Sequence, residues 1–321
     1  MNSRNIDLWQ ETSDGLTASS RAAQAGLASR VTLAAPKRSE GGRHPAGFTL
    51  IELLVVISIM GIIAALSVPA LKNLGKSNIN VSAARQMLDD VARARQFAIS
   101  QHTTVYMVFV KTNFWMAPSF PTPNQWWFNL TPAQKTAATN LCDKQLTGYT
   151  FISLRSVGDQ PGRGTPRYLA PWHNLPDGTF IASQKFQASN SPPFTPFYIS
   201  AFDPNRPIYG FSVINNIPFP TEDSPPSSIL YLPFIAFNYL GQLSLDGQTP
   251  AKRDEYIPLA QGTVSPAMDV ATKTFTVSAA SAVSSNSVSE NPPGNSTNSM
   301  YNIVHIDRLT GRATLEYQKV R

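Results

Sequence analysis

The sequence predicts an α+β protein, in which one long N-terminal α-helix packs on a C-terminal antiparallel β-rich domain. The first observation behind this prediction is an apolar run without a charge at residues 53–71. The second is that apolar residues beyond the run recur at three- and four-residue steps to about residue 100, as in an amphipathic helix. The third is that short segments rich in Val, Ile, Phe and Tyr then alternate with turn residues, as strands do. These changes divide the chain into a helix at 48–101 and a β-rich domain at 102–321.

The apolar run predicts a transmembrane segment. Its 19 residues would form a helix of roughly 28 Å, which is enough to cross the hydrocarbon core of a bilayer. One carboxylate, Glu52, lies at the front edge of the run. Because an acidic residue in a spanning segment costs about 2.5–3.5 kcal/mol, Glu52 needs a partner. The side chains expected to face lipid, or the core of an assembly, are Leu53, Leu54, Val55, Val56, Ile57, Ile59, Ile62, Ile63 and Leu66.

The helix should continue beyond the run with one apolar face turned to the β-rich domain. Pro69, together with Gly61 and Gly75, marks places where it can bend or loosen. The residues predicted to form the apolar face are Val81, Ala84, Leu88, Val91, Ala92, Ala98 and Ile99.

A cut between Gly47 and Phe48 would supply the partner for Glu52. The new α-ammonium group of Phe48 would lie four residues before the carboxylate, where opposite charges on a helix meet. The hexapeptide GFTLIE at 47–52 and the apolar helix behind it resemble the class III signal of type IV prepilins and pseudopilins. In that family a membrane-embedded prepilin peptidase cuts after the Gly and methylates the new Phe amine. The resemblance implies that Glu52 acts in assembly and that Pro69 corresponds to the family's helix-bending proline.

Residues 1–47 would then be a cleaved cytoplasmic leader. They are polar and contain no apolar run of helix length. Lys37, Arg38 and Arg43 precede the apolar run, so the positive-inside rule keeps the leader in the cytoplasm. The resulting prediction is a single-pass protein of the bacterial inner membrane with a periplasmic C-terminal domain, which enters a filament on assembly.

Two other interpretations of the N-terminus stay open. The first is a plain membrane anchor that contains GFTLIE by chance. The second is an ordinary secretory signal, with a small-residue cut site at Ala65-Leu66-Ser67 and a soluble secreted protein that begins near Val68. The secretory interpretation leaves Glu52 without an explanation.

The β-rich domain contains several strand-like segments. Strands are predicted at 105–110, 148–154, 179–182 and 229–238, and a terminal hairpin at 303–307 and 312–317. We interpret 112–228 as an insertion between core strands, whose many aromatic residues either fill a core or form a recognition surface. A helix should start at Thr131, followed by Pro132. The polar, low-complexity stretch 278–300 is predicted to be a mobile loop.

Two further stretches resemble the minor pseudopilin H family of type II secretion. The first is the passage from helix to first strand at 83–106, and the second is the segment 238–241 followed by the terminal hairpin with DRLTGR at 307–312. The resemblance implies a structural subunit of a type II secretion-like pseudopilus. Its partners would be prepilin peptidase, other pilins or pseudopilins, and the inner-membrane assembly platform. The alternative is a minor type IV pilin with an adhesive or DNA-uptake role.

The composition and the motifs indicate no catalytic site and no cofactor site. The net charge of +6 comes without a block of Lys or Arg, so it does not indicate a nucleic-acid partner. A single cysteine, Cys142, excludes an intrachain disulfide and is expected to be a buried or idle thiol. No catalytic motif, cofactor loop or histidine spacing for a metal is present, so we expect no enzyme and no cofactor. Carboxylates that calcium could use occur at Asp246, Asp254, Glu255, Glu222 and Asp223.

Overall fold

The structure is a computed structural model. It describes residues 49–115, 125–160, 162–187, 208–269, 271–272, 274–275, 287–296 and 302–317, without the side chains of 68–80, Gln125 and Tyr317. The leader 1–47 and Phe48 lie outside the described residues. By contacts, the chain divides into a unit at 1–58, of which the start of the long helix is described, and a unit at 59–321.

The protein has the predicted α+β fold, with a long N-terminal helix and a C-terminal domain of antiparallel sheets. The helix α1 spans Leu50–Gln101. Pro69 lies within α1, and its side chain is outside the described residues. The shorter helices are α2 (Gln125–Phe128) and α3 (Pro132–Thr139), and single 3-10 turns occur at Cys142–Lys144 and Ser183–Phe186.

The described strands form two antiparallel sheets. The first contains β1 (Val105–Phe109), β2 (Gly148–Ser153), β3 (Arg167–Tyr168), β4 (His173–Asn174), β6 (Ser212–Ile214), β7 (Leu232–Phe237) and β8 (Leu243–Ser244). Its main order is β3-β2-β1-β7-β6. The second contains β5 (Thr179–Ile181), β9 (Glu255–Ser265), β10 (Ser287–Glu290), β11 (Asn302–Ile306) and β12 (Ala313–Tyr317), in the main order β10-β9-β11-β12.

The C-terminal part of α1, from about residue 81 onward, packs on these sheets through one face, as its sequence period predicts. Ala84, Val91 and Ala98 of the predicted face are fully buried, and Leu88 is half-buried. Ala92 was assigned to the same face but is exposed, because the buried positions advance by three or four residues and pass it by. The helix residues in the shared core are Ala83, Ala84, Met87, Val91, Ala94 and Ala98.

Hydrogen bonds join α1 to the first sheet. Tyr149 of β2 donates a 2.5 Å hydrogen bond to the carboxylate of Asp90, which is buried on α1. Gln86, one turn earlier, donates to the same tyrosine oxygen at 2.9 Å. Burial and the neighbouring Asp90 carboxylate raise the pKa of Tyr149 far above its ordinary value, so the phenol stays protonated as a donor. These contacts fix the helix against β2 in rotation as well as in distance.

Strands in the described part of the segment 112–228 belong to the two sheets. Its strand β2 pairs with β1 from Val105↔Ser153 to Phe109↔Tyr149, in the middle of the first sheet. Its strand β5 pairs with β9 of the second sheet. The segment predicted to be an insertion between core strands therefore contributes β2 and β5 to the two sheets. Their neighbours could not be predicted, because strand order depends on contacts between residues far apart in sequence.

Most described aromatic residues of the same segment fill a core. Phe114, Trp115, Trp126 and Phe219 are buried in one cluster on the face of the first sheet that is remote from α1, and Phe114 and Phe219 meet edge to face at 5.5 Å. Helix α3 supports this cluster and starts where predicted. Its N-cap residue Thr131 accepts from the backbone of Gln134, whose side chain accepts in return.

The polar stretch 278–300 is not entirely a loop. Residues 287–290 form β10, which pairs with β9 from Ser287↔Ser265 to Glu290↔Gly262. Asn295 lies close behind and is buried, and its side chain bonds the backbone of Gln261 in both directions. Residues 278–286 and 297–300 of the stretch lie outside the described residues. A strand was missed here because low hydrophobicity masked an edge strand that is stabilised by backbone pairing.

One turn glycine provides a test of the packing. Gly311 has a φ of 63°, and a Cβ there would come within 3.0 Å of the carbonyl oxygen of Gly241. Gly162 also has positive φ (83°), but a Cβ there meets nothing within 4 Å. Both Gly→Ala changes cost about 1–2 kcal/mol of backbone strain. We expect Gly311→Ala to lose a further 1–3 kcal/mol or so through overpacking. The measurement is urea unfolding of the full chain in detergent. Equal losses of unfolding free energy in the two variants would show that the turn at Gly311 does not touch Gly241.

Candidate functional site

The first turn of α1 is closed by Thr49. Its side-chain oxygen accepts a hydrogen bond from the backbone N–H of Glu52 at 3.3 Å, and its carbonyl accepts from Leu53 at 3.1 Å. Thr49 is therefore the N-cap residue, and capping by Thr contributes about 1 kcal/mol to helix stability. The helix starts at Leu50, two residues after the predicted new N-terminus, Phe48, which lies outside the described residues together with Gly47.

Glu52 occupies the third helical position and is exposed. A carboxylate in the first turn interacts favourably with the helix dipole, by about 0.3–1 kcal/mol at a surface. Among the described residues, no Lys, Arg or His forms an ion pair with it. The pairing of Glu52 with the α-ammonium group of Phe48 stays a prediction.

The helix behind Glu52 exposes a continuous apolar surface. The window Leu50–Ser67 has a mean hydropathy of 2.6, and none of it is buried inside the chain. Its two described hydroxyl side chains are bonded within the helix, Ser58 to the carbonyl of Leu54 and Ser67 to that of Ile63, each at 2.8 Å. The helix therefore presents almost no unsatisfied polar group along this surface, as a bilayer requires. All nine side chains predicted to face lipid or an assembly core are exposed: Leu53, Leu54, Val55, Val56, Ile57, Ile59, Ile62, Ile63 and Leu66.

The size of this apolar surface determines how much free energy is gained when it is covered. Covering large apolar side chains stabilises by about 1.5–3 kcal/mol for each one fully removed from water. The nine residues above therefore favour a covered state by an amount on the order of 10–20 kcal/mol. Lipid, or the helices of other subunits, can supply that cover.

Four of the five carboxylates considered for calcium, those of Asp246, Asp254, Glu255 and Glu222, bind other groups of the chain. Asp246 accepts from the backbones of Gln248 and Thr249 at 2.8 and 2.7 Å. Glu255 is buried against the ammonium group of Lys185, which also donates to the carbonyl of Tyr209. Among the described residues, no group of three or more His, Cys, Asp or Glu side chains could hold a metal ion.

Two histidine contacts were not foreseen from the sequence. His173 lies 3.4 Å from the carboxylate of Asp90, at the junction of helix and sheet. His305 is partly exposed and lies between two carboxylates, 3.1 Å from that of Asp254 and 3.0 Å from that of Glu316. The only signal in the sequence is the alternation of β11, which places His305 on one face but cannot identify its neighbours across strands.

Cys142 is a buried thiol. It lies in the aromatic core cluster, and its sulfur contacts the carbonyl oxygen of Ala138 at 3.8 Å. Burial and the nearby carboxylate of Asp143 raise the pKa of Cys142 to about 12. The thiolate is therefore negligible at neutral pH, and this cysteine is poorly suited to act as a nucleophile.

Comparison with known proteins bears on the same N-terminal segment. Residues 42–68 match the family described as prokaryotic N-terminal methylation motif. The match covers Gly47, Phe48, Glu52 and the exposed apolar surface. No curated protein and no solved structure matches the chain significantly.

The helix and the motif together define a class of protein. The motif supports a type IV prepilin-like protein, a pilin-like or pseudopilin subunit, and implies processing by prepilin peptidase and assembly with other pilins. By its length and composition the apolar N-terminal helix could cross a membrane, which together with the motif supports membrane anchoring.

Proposed function

We propose that the protein is a minor pseudopilin, a structural subunit of a type II secretion-like pseudopilus. One observation carries the proposal, namely the exposed apolar start of α1 within the methylation motif. A surface of this kind can be covered first by lipid and then by the helices of neighbouring subunits, so one segment serves both the membrane and the filament. The role is structural, without catalysis by this chain.

The proposed assembly has three steps. Prepilin peptidase removes residues 1–47 and methylates Phe48, while the assembly platform of the inner membrane receives the mature subunit. Glu52 then neutralises the amine of Phe48, in its own chain or in a neighbouring subunit, and this sets the register between subunits. The β-rich domain stays on the periplasmic side, with the leader in the cytoplasm, and meets partners outside the helical core.

The alternative is a minor type IV pilin whose aromatic segment binds a surface or DNA. Most described aromatic rings of 112–228 are engaged in the core, including Trp115 and Trp126, whereas Phe128 is exposed. This gives the alternative little described surface for recognition. Deleting the gene in its host should reduce protein secretion and leave twitching motility and DNA uptake intact. The reverse result would favour the pilin.

The primary test is the N-terminal sequence and intact mass of the protein from membranes of its own host. We expect a chain that begins with N-methyl-Phe48. A soluble chain that begins near Val68 would instead indicate an ordinary secreted protein. An uncut chain that retains 1–47 would indicate a simple anchor. Either of these outcomes contradicts the proposal.

A further inference from the structure

Two turns meet near the C-terminal end of α1. One, at 238–241, joins β7 to β8, and the other, at 307–311, joins β11 to β12. They are tied together because Leu243 donates from its backbone to the carbonyl of Arg308 at 3.1 Å. Arg95 of α1 donates from Nε to a carbonyl of the second turn at 2.7 Å. Helix and turns therefore form one surface, here called the turn surface, made by Tyr239, Leu240, Leu309, Arg95, Arg308 and Arg312.

Large apolar side chains project from the turn surface into solvent. Tyr239 is 55% exposed, and Leu240 and Leu309 are each 58% exposed. Outside α1, the other large apolar side chains that the described residues expose are scattered singly, at Phe128, Val157 and Met268. Single exposed apolar residues are normal, whereas a cluster of them at one place marks a contact site.

Hydrogen bonds within the two turns fix the backbone that carries these side chains. The side-chain oxygen of Asn238 accepts from the backbone of Leu240 at 3.0 Å. In the second turn, the carboxylate of Asp307 accepts from the backbones of Leu309 and Thr310 at 3.1 and 2.7 Å. A rigid contact surface loses little conformational freedom on binding, which favours association. The apolar groups are thus prepared for a partner rather than free to fold back on the domain.

The charge of the turn surface is positive. Arg95, Arg308 and Arg312 contribute three cations. Two carboxylates offset part of this charge. Asp254 accepts from the backbone of Arg308 at 3.0 Å. Asp307 stays ionised, because hydrogen bonds from the side chain and backbone of Thr310 hold its pKa below the ordinary value. The three cations remain in excess. Tyr and Arg are the residue types most often found at energetic centres of protein interfaces. A mixture of aliphatic, tyrosine and arginine side chains therefore suits a protein surface better than a nucleic acid or a polysaccharide.

From this arrangement we infer that the turn surface docks a second protein, whose contacting surface combines apolar side chains with carboxylates. The contact is separate from assembly through the start of α1. It applies equally to a subunit of a secretion filament and to one of a pilus.

The test uses the full chain at native level in its own host. A photo-crosslinking amino acid replaces Leu309 in one strain and Val157, which is 80% exposed, in a control strain. We expect a protein adduct from position 309 and not from position 157, with a crosslinked peptide that contains Asp or Glu beside apolar residues. Adding Arg312→Glu should lower the yield of this adduct about tenfold, while Arg312→Lys should preserve it. Arg312 is exposed, and an unchanged melting temperature will show that both variants fold.

Several results would overturn the inference. They are equal adducts at the two positions, an adduct that Arg312→Glu does not weaken, a peptide without carboxylates, or an adduct with lipid or nucleic acid. The N-terminus of the protein in the same samples is sequenced in parallel. A specific adduct on an uncut chain would refute the proposed function and keep the docking surface. A processed chain without the adduct would refute the docking surface and keep the proposed function.

Discussion

Glu52→Ala should leave cleavage and methylation intact but abolish incorporation into filaments. The carboxylate lies in the first turn of α1, has no ion-pair partner among the described residues, and is followed by an apolar surface. In the filament it would neutralise the amine of Phe48. Removing one partner of a buried ion pair leaves the other uncompensated, at a cost of about 3–5 kcal/mol. The expected loss is therefore at least about 100-fold in the ratio of filament-bound to membrane-bound protein, since each 1.4 kcal/mol is tenfold.

Matched variants separate the charge from the helix cap. Thr49→Ala removes the capping oxygen and keeps the carboxylate, so it should lower the stability of the helix by only about 1 kcal/mol. Glu52→Gln keeps the shape and removes the charge, so it should fail as completely as Glu52→Ala. Ser58→Ala, which removes only a hydroxyl bonded within the helix, should assemble normally. The measurement is the amount of each variant in sheared filaments relative to membranes. Normal assembly of Glu52→Gln would show that the charge is not needed.

Gly47→Leu should block processing. Glycine has no side chain beside the bond to be cut, and a peptidase site that closes around it cannot admit a branched side chain without a clash. We expect cleavage to slow by at least about 100-fold, or about 2.7 kcal/mol in the activation free energy. The chain would stay in the membrane with residues 1–47 attached, unmethylated and absent from filaments.

Gly61→Leu is the control for this change. It places the same side chain in the apolar part of α1, where an added Cβ meets no other atom within 4 Å. This variant should be cut and methylated like the unaltered chain. Intact mass and N-terminal sequence distinguish the two forms directly. Normal processing of Gly47→Leu would count heavily against the prepilin class, whereas failure of both variants would point to a general defect in membrane insertion.

The sequence by itself determined those features that depend on neighbouring residues. The long helix follows from an uninterrupted apolar run and a three- and four-residue period, and the start of α3 follows from Thr131 and Pro132. Strands β1, β2, β7 and the terminal hairpin follow from β-branched and aromatic runs bounded by turn residues. The segment with the methylation motif could also be located from sequence, because its residues lie within one continuous stretch.

Only the tertiary structure decided which of these elements touch. It placed β2 beside β1, paired β10 with β9 despite a polar sequence, and joined Asp90 of α1 to Tyr149. It also brought the turns at 238–241 and 307–311 together and left their apolar side chains in solvent. Helical period, caps and turn chemistry act over a few residues. Sheet order and the burial of one side chain against another depend on contacts between distant residues, which no local pattern specifies.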